Sequence, residues 1–288
     1  MKENISRMER LQSIEGLTRI DKPIMLAEIG HGYPILALTA AMHGDEDVGA
    51  YILDALRKTA QPKNGTLKLI IANPPALFQG VRFLSEDLNR SFAGSSVNNS
   101  SEARLAPQIL EMVKDSDYTI DIHSTSTISE AFAIVGRRNE ERLRLAEIAG
   151  LRNTVLFEGE STRAMVDNVA CGIGLELGLH GSEYAYEEGL RAVNNILEGL
   201  VMSKSSYLKE NAEFFEIFGL LPNLAYPVIL HVSNFQKVMP GTIIASSVDG
   251  KKDIIAEEEF YPVLAGERSY ANLSLKAKRV TRREFLKP

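Results

Sequence analysis

Two apolar runs in this chain each end on a histidine, and few folds accommodate that. Residues 34–42 (PILALTAAM) read as a buried strand that runs directly into His43-Gly44-Asp45-Glu46. Residues 117–123 (DYTIDIH) read as a second buried strand, closed by His123 and followed by the polar run Ser124-Thr125-Ser126-Thr127. Open α/β sheets bind ligands at the carboxyl ends of their strands, so both imidazoles are expected at the same rim of one sheet. His43 and Glu46 are three residues apart. With Glu46 in the first turn of a helix, that spacing turns both side chains toward one point. The acids Asp45, Glu46 and Asp47 also sit where a helix N-terminus favours them. Two imidazoles and a carboxylate are the donor set of a catalytic zinc whose fourth position is open. Each piece has a plainer reading, since an HxxE pair is a weak signal and His123 alone fits a capped turn with a hydrogen-bonded ring. Both histidines at strand ends favour a metal centre of His43, Glu46 and His123.

The segment between the strands carries Asn73-Pro74-Pro75-Ala76 and then Arg82-Phe83-Leu84-Ser85-Glu86-Asp87-Leu88-Asn89-Arg90-Ser91-Phe92. Arg82 and Arg90 are fixed forks suited to carboxylates or to a developing oxyanion, and Asn89 adds a neutral amide donor. A carboxylate near a zinc histidine commonly takes the other ring N–H and fixes the tautomer. Asp87 and Asp121 compete for that place; Asp121 lies two residues before His123, on the same face of its strand. The plainer reading of the segment is a basic surface loop with solvated charges. Downstream, Glu176 stands alone in residues 172–179 (GIGLELGL), an apolar, glycine-rich stretch that reads as a core strand. An acid there is costly unless paired or functional, and burial raises its pKa toward the range useful for proton transfer. Strand alternation could instead set it on a solvent face.

In order and spacing, HGDE, NPPA, the R-F-x-x-x-D-L-N-R-x-F segment, DIH and Gly174-Leu175-Glu176-Leu177-Gly178 resemble the aspartoacylase / succinylglutamate desuccinylase family, of the zinc carboxypeptidase-like fold. The match covers residues 40–178, and a weaker one continues to Tyr261-Pro262-Val263 and Tyr270. The resemblance implies one zinc ion on His43, Glu46 and His123, with Asp87 behind a zinc histidine and Glu176 as catalytic base. It implies Arg82 as an oxyanion donor and Asn89, Arg90, Arg163 and Tyr270 as substrate-binding residues. Arg163 follows Thr162 at a slightly longer interval from Glu176 than the family pattern has, and Tyr270 could equally be a packed aromatic. The activity implied is a zinc-dependent amidohydrolase that deacylates a small N-acyl amino acid, N-acetylaspartate first and N-succinylglutamate second. A zinc carboxypeptidase acting on peptide C-termini would use the same centre in an unroofed cleft. A non-catalytic zinc or ligand-binding protein would be expected to have lost a ligand or the base, and all are present.

The rest of the pattern agrees with an α/β fold: a mixed central sheet flanked by helices, with a small β-rich C-terminal domain. Residues 23–28 and 34–42 read as a strand pair joined by a turn at Gly30–Gly32, and 67–72, 131–135 and 154–157 as further strands. Helices are expected at 48–58, 102–114, 140–149 and 183–203. After about residue 205 come short β-like runs at 214–218, 228–232, 242–246 and 254–256, with turns at Pro240-Gly241 and Asp249-Gly250. The expected division is a catalytic domain over 1–205 and a β-rich domain over 206–288 that partly covers the site. Residues 94–101 (GSSVNNSS) are a low-complexity surface loop. The net charge of −6 and a pI near 5.5 argue against nucleic acid as a partner. No run of 18 apolar residues suggests a membrane span, and the charged N-terminus lacks the apolar core of a signal peptide. The single cysteine, Cys171, excludes an internal disulfide and reads as a buried structural thiol. A cytoplasmic location follows by default, and a homo-oligomer stays open. His31, His180 and His231 are expected in structural or surface roles.

Overall fold

The computed structural model describes residues 6–94, 99–158, 163–201, 212–222, 227–268 and 272–287. Its centre is built from strands whose apolar runs have no polar face. Strands β1 (Ile24–His31), β2 (Ile35–Ala40), β3 (Gly65–Ile71) and β4 (Tyr118–Thr125) lie in the spatial order β1-β3-β2-β4. β2 is parallel to both β3 and β4, and all three are buried along nearly their whole length, as parallel strands covered on both faces must be. The expected pairing of 23–28 with 34–42 does not occur, because β3 lies between them. β1 pairs antiparallel with β3 at the edge of the sheet. The reason is in the burial: β1 keeps several exposed positions and suits an edge, whereas β2 needs a covered neighbour on each side.

The sheet continues through β5 (Phe132–Val135), β6 (Asn153–Leu156) and β7 (Gly172–Leu179), in the order β4-β7-β5-β6. β7 runs parallel to β4 and antiparallel to β5. Side chains alternate across these strands. Leu36, Leu38, Ile120, Ile122, Leu175 and Leu177 enter the main core with helices α2 (Val48–Thr59) and α6 (Glu183–Val201), which supply Ile52, Leu56, Val193 and Ile196. The alternate positions, among them Thr39, Asp121, His123, Gly174 and Glu176, therefore belong to the other face. There Leu105 and Ile109 of α4 (Ser101–Val113) pack with Met42, Leu88 and Met165 in a separate cluster, while α3 (Pro74–Gln79), which follows β3, gives Leu77 and Phe78 to the main core. Helix α5 (Glu140–Ala149) links β5 to β6. None of the described helices is long and apolar enough to cross a membrane. Cys171 is buried, and burial pushes its thiol up to about 11.

The chain after 205 divides between two sheets. β8 (Glu213–Pro222) joins β6 in parallel and extends the central sheet. β9 (Val228–Leu230), β10 (Ile243–Ser247) and β11 (Asp253–Ile255) make a separate antiparallel sheet in the order β11-β10-β9. β12 (Tyr261–Val263) and β13 (Asn272–Val280) then return to the central sheet beyond β8. These two strands were not read from the sequence, although 272–280 alternates.

The turn that carries the first histidine is held from several sides. β2 ends at Ala40, and Ala41 takes the left-handed conformation at φ 55°, which redirects the chain before Met42 and His43. Helix α2 begins only at Val48 with Asp47 as its cap residue, so Glu46 precedes the helix rather than occupying its first turn. The closeness of residues 43 and 46 comes instead from a tight turn in which the Glu46 N–H donates to the His43 carbonyl at 3.2 Å. Helix α1 (Arg7–Gln12) reaches across the turn. The Arg7 guanidinium donates to the Gly44 carbonyl at 2.7 Å, to the Leu77 carbonyl at 2.9 Å and to Asp47 Oδ2 at 2.8 Å. Gly44 packs directly on the first turn of α3, where a Cβ would collide with the Ala76 carbonyl and the Leu77 amide nitrogen. Gly44→Ala is therefore expected to destabilise the fold by about 3 kcal/mol or more, since the atoms it strikes are backbone and cannot rotate away. Urea denaturation of the variant measures this; an unchanged midpoint would mean that the turn is not packed as described.

Candidate metal centre and active-site cavity

His43, at the end of β2, and His123, near the end of β4, meet across one buried carboxylate. His43 Nδ1 lies 2.7 Å from Glu46 Oε1, and His123 Nδ1 lies 2.9 Å from Glu46 Oε2. The two rings are tilted, with centroids 5.1 Å apart. One ligand atom from each of the three residues falls within 4.8 Å of the others, so the cluster could hold a metal ion. The far ring nitrogens are engaged too. His43 Nε2 faces Asp87 Oδ1 at 3.1 Å, and His123 Nε2 faces Asp121 Oδ2 at 2.7 Å. The two acids that competed for one position thus each stand behind a different ring. Thr39 donates its hydroxyl to Asp121 Oδ1 at 2.7 Å, which fixes that carboxylate from the neighbouring strand.

The charge of this group suits a dication. Glu46, Asp87 and Asp121 are three carboxylates; Arg82 donates to Glu46 Oε1 at 3.3 Å and to Asp87 Oδ2 at 3.0 Å. With both imidazoles doubly protonated the five groups and Arg82 sum to zero, and exchanging the two Nδ1 protons for a dication leaves that sum unchanged. The electrostatics point the same way. Burial alone would push the imidazoles down, but Glu46 and Asp87 hold His43 above its ordinary value, and Asp121 and Glu46 hold His123 well above it. Burial would push Glu46 up, yet the two imidazoles hold it well below the usual carboxylate range. Asp87 is likewise depressed against its burial by His43 and Arg82. A site that keeps anionic oxygen and paired ring nitrogens together in a buried spot is one in which metal can replace protons.

The loop bearing Arg82 and Asp87 is pinned by a residue that the sequence analysis did not single out. Glu102, in the first turn of α4, is buried and accepts the backbone N–H groups of Leu84 at 2.7 Å and Ser85 at 3.2 Å. Asp87 then caps a short 3₁₀ turn, Leu88–Arg90, by accepting the Asn89 N–H at 2.8 Å. Asn89 sits with its Nδ2 3.4 Å from His123 Nε2, and its Oδ1 accepts the Met165 N–H at 3.0 Å.

A cavity opens from the His43–Glu46–His123 cluster. Arg82, Asn89, Arg90 and Glu176 line it. Glu176 is the register partner of His123 on the adjacent strand, so the expected base stands beside the His43–Glu46–His123 cluster rather than on a solvent face. Burial pushes its carboxyl up to about 8, with Glu46 and Glu267 adding to the push and His123 and Arg82 opposing it. Ser124 also lines the cavity; its N–H donates to Glu46 Oε2 at 3.1 Å, and its hydroxyl is 2.8 Å from His180 Nδ1. Two acids that were not singled out also line the space, Asp167 and Glu267. Glu267 comes from the far end of the chain and accepts both the N–H and the hydroxyl of Ser126 at 2.7 Å. Nothing local in the sequence marks it. Arg163 is not among the cavity-lining residues; its guanidinium donates to the Gly94 carbonyl at 3.3 Å. Tyr270 lies outside the described residues, as do 95–98 of the low-complexity loop.

Comparison with known proteins agrees with this geometry. The model of the succinylglutamate desuccinylase/aspartoacylase catalytic domain matches residues 33–200, more than half of the chain. A protein named "Probable aspartoacylase" from Prochlorococcus marinus is 23% identical over 291 residues, covering 86% of this chain and 92% of that protein. A succinylglutamate desuccinylase from Shewanella pealeana is 30% identical over 151 residues, 44% of each chain. Among solved structures, murine aminoacylase 3 superposes with a TM-score of 0.72 at 20% identity, over 87% of this chain and 97% of that one. A succinylglutamate desuccinylase/aspartoacylase from Rhodobacter sphaeroides gives 0.70 at 16% identity, over 88% and 87%. At such identities the structural likeness speaks for the fold, while the sequence match over residues 33–200 is what places the chain in the succinylglutamate desuccinylase/aspartoacylase family.

Proposed function

We propose that this protein is a zinc-dependent amidohydrolase that removes the acyl group from small N-acyl amino acids. The observation that carries the reading is the convergence of His43, Glu46 and His123 within 4.8 Å, with Glu176 alongside on the next strand. The names of the relatives, aspartoacylase, desuccinylase and aminoacylase, support the same class of amide cleavage. Zinc fits the donors: two imidazole nitrogens and one carboxylate oxygen, with both rings hydrogen-bonded on their far side to acids. When bound, zinc supplies Lewis acidity, polarising the scissile carbonyl and making water acidic enough to ionise near neutral pH.

The protein side chains do the rest. Glu176 accepts a proton from the attacking water and returns it to the nitrogen of the departing amine, a role suited to a carboxyl whose surroundings raise its pKa. Arg82, already aimed at the Glu46 end of the cavity, donates to the oxygen on which charge develops. Arg90, with Asn89 beside it, holds the substrate carboxylate. Leu264 and Glu267, from the chain after 205, close part of the cavity wall, which favours a small substrate over a peptide C-terminus. We assign residues 206–288 this covering role.

Three outcomes test the reading. His123→Ala is expected to lose most of the bound zinc, because two protein ligands do not make a catalytic site; metal analysis of the purified variant decides, and a full equivalent of tightly held zinc would refute the ligand set. Glu176→Gln is expected to keep zinc and fold but lose about 10²–10⁴-fold in turnover. Near-parental hydrolysis by that variant would remove Glu176 as the base. Asp121→Asn and Asp87→Asn are each expected to weaken zinc binding by about 10–100-fold, since each carboxylate orients one ligand ring. Competition with a chelating dye measures both, and unaltered affinity in either variant would make that acid a bystander.

A further inference from the structure

We infer that the cavity receives an apolar group of the substrate and so selects neutral N-acyl amino acids over the acidic N-acetylaspartate and N-succinylglutamate that the sequence resemblance implies. The inference rests on the deacylase reading above and names its substrate class.

Register across the sheet sets up the space. His123, Glu176 and Phe132 are level on β4, β7 and β5, and two residues back along β4 and β7 the level is Asp121, Gly174 and Ile134. Residues two apart share a strand face, so the position next to Glu176 on the cavity side is a glycine. A Cβ placed on Gly174 would have one neighbour within 4 Å, Ile134 Cβ at 3.7 Å, an ordinary contact. The room above Gly174 is therefore open, and it belongs to the cavity. Its walls are Ile134, Phe157, Val166 and Leu264, from four separate segments of the chain. Asp121 borders the room on the β4 side, where its carboxylate is taken up by His123 and Thr39, and the four hydrocarbon walls are favourable to a buried apolar substituent.

The charges in the cavity reinforce this. Two arginines line it. Arg82 is ion-paired to Glu46 and Asp87, whereas Arg90 makes no ion pair among the described residues. The cavity thus has one cation ready for one carboxylate, and an N-acyl amino acid uses it for the α-carboxylate. A second carboxylate, on the substrate side chain, would share the space with Glu267 and with Asp167, whose charge already engages Arg142 at 3.3 Å and Arg137 at 3.9 Å. The arginine expected to meet it, Arg163, is placed outside the lining and on the Gly94 carbonyl. The apolar group could be the amino-acid side chain or a longer acyl chain, since both are hydrocarbon attached to the same amide.

The test uses the zinc-loaded protein and kcat/KM for N-acetylalanine, N-acetylleucine, N-acetylphenylalanine, N-hexanoylglycine, N-acetylaspartate and N-succinylglutamate. At least one of the large apolar substrates is expected to exceed both acidic ones by about 10-fold or more, the discrimination that a hydrocarbon pocket provides. A lead for N-acetylleucine or N-acetylphenylalanine assigns the pocket to the side chain, and a lead for N-hexanoylglycine assigns it to the acyl chain. Gly174→Val fills the pocket from its floor at a strand position that tolerates a branched residue. It is expected to lower the ratio of the favoured substrate to N-acetylalanine by about 10-fold or more, with an unchanged melting temperature. A preference for N-acetylaspartate or N-succinylglutamate, or a ratio that Gly174→Val leaves unaltered, overturns the inference. Should nothing be hydrolysed, the deacylase reading fails. Calorimetric binding of N-acetylphenylalanine, N-hexanoylglycine and N-acetylaspartate to zinc-loaded Glu176→Gln, with and without Gly174→Val, then decides the pocket alone. Tighter binding of an apolar ligand that Gly174→Val abolishes supports it, and tighter binding of N-acetylaspartate overturns it.

Discussion

The carboxylate of Glu46 ties together the two histidines that follow and close neighbouring strands. It accepts from a ring at the end of β2, from a ring on β4, from the Ser124 amide and from Arg82. A charge buried this deeply is tolerable only while those partners stay in place, because removing one leaves the others uncompensated. Much of the surrounding structure keeps them there. Asp87 and Asp121 hold the rings from behind, and Thr39 holds Asp121. The side chains sit at alternate positions of β4 and β7, on the face that the apolar core of α2 and α6 leaves to them.

That arrangement needs rigid loops, since neither His43 nor Asp87 lies within a regular element. Arg7 clamps the turn at Gly44 from the N-terminal helix, and Gly44 itself has backbone against its only open direction. Glu102 does for the Arg82–Asp87 loop what Arg7 does for the turn, by accepting successive backbone amides from a buried position. These contacts hold in place the loops that carry His43, Glu46 and Asp87.

The parts of this site that the sequence made legible are those carried by local pattern. Apolar runs ending at His43 and His123 located the sheet rim. The lone acid of residues 172–179 located Glu176, because a charge inside a core strand is costly unless it is paired or takes part in chemistry. What escaped depended on contacts between distant segments. Glu267 reaches the cavity from the far end of the chain, and Glu102 looked like any acid in a first helical turn. The wrong pairing of β1 with β2 has the same origin. A short glycine turn suggests a hairpin, but the covered, two-sided character of β2 decides its neighbours and brings β3 between. Residues 272–280 alternate like a strand, yet their place beside β8 is set by the edge that β8 exposes.

Strand β7 shows how one short sequence can give its two faces different surroundings. Its odd-numbered positions, Ile173, Leu175 and Leu177, are committed to the main core. Its even-numbered positions on the other face are Gly172, Gly174 and Glu176. Gly172 is covered, since a Cβ there would strike Val166 and Val169, so that end of the face is packed shut. Gly174 is open, and Glu176 borders the His43–Glu46–His123 cluster. The order closed, open, acidic therefore runs along a single strand face toward the sheet rim. A side chain at 174 would fill the room beside Glu176, and a glycine at 176 would remove the acid that borders it. On the proposal that Glu176 is the base, the reacting amide would lie near it, and the group attached to that amide would extend over Gly174 toward the apolar side chain of Ile134.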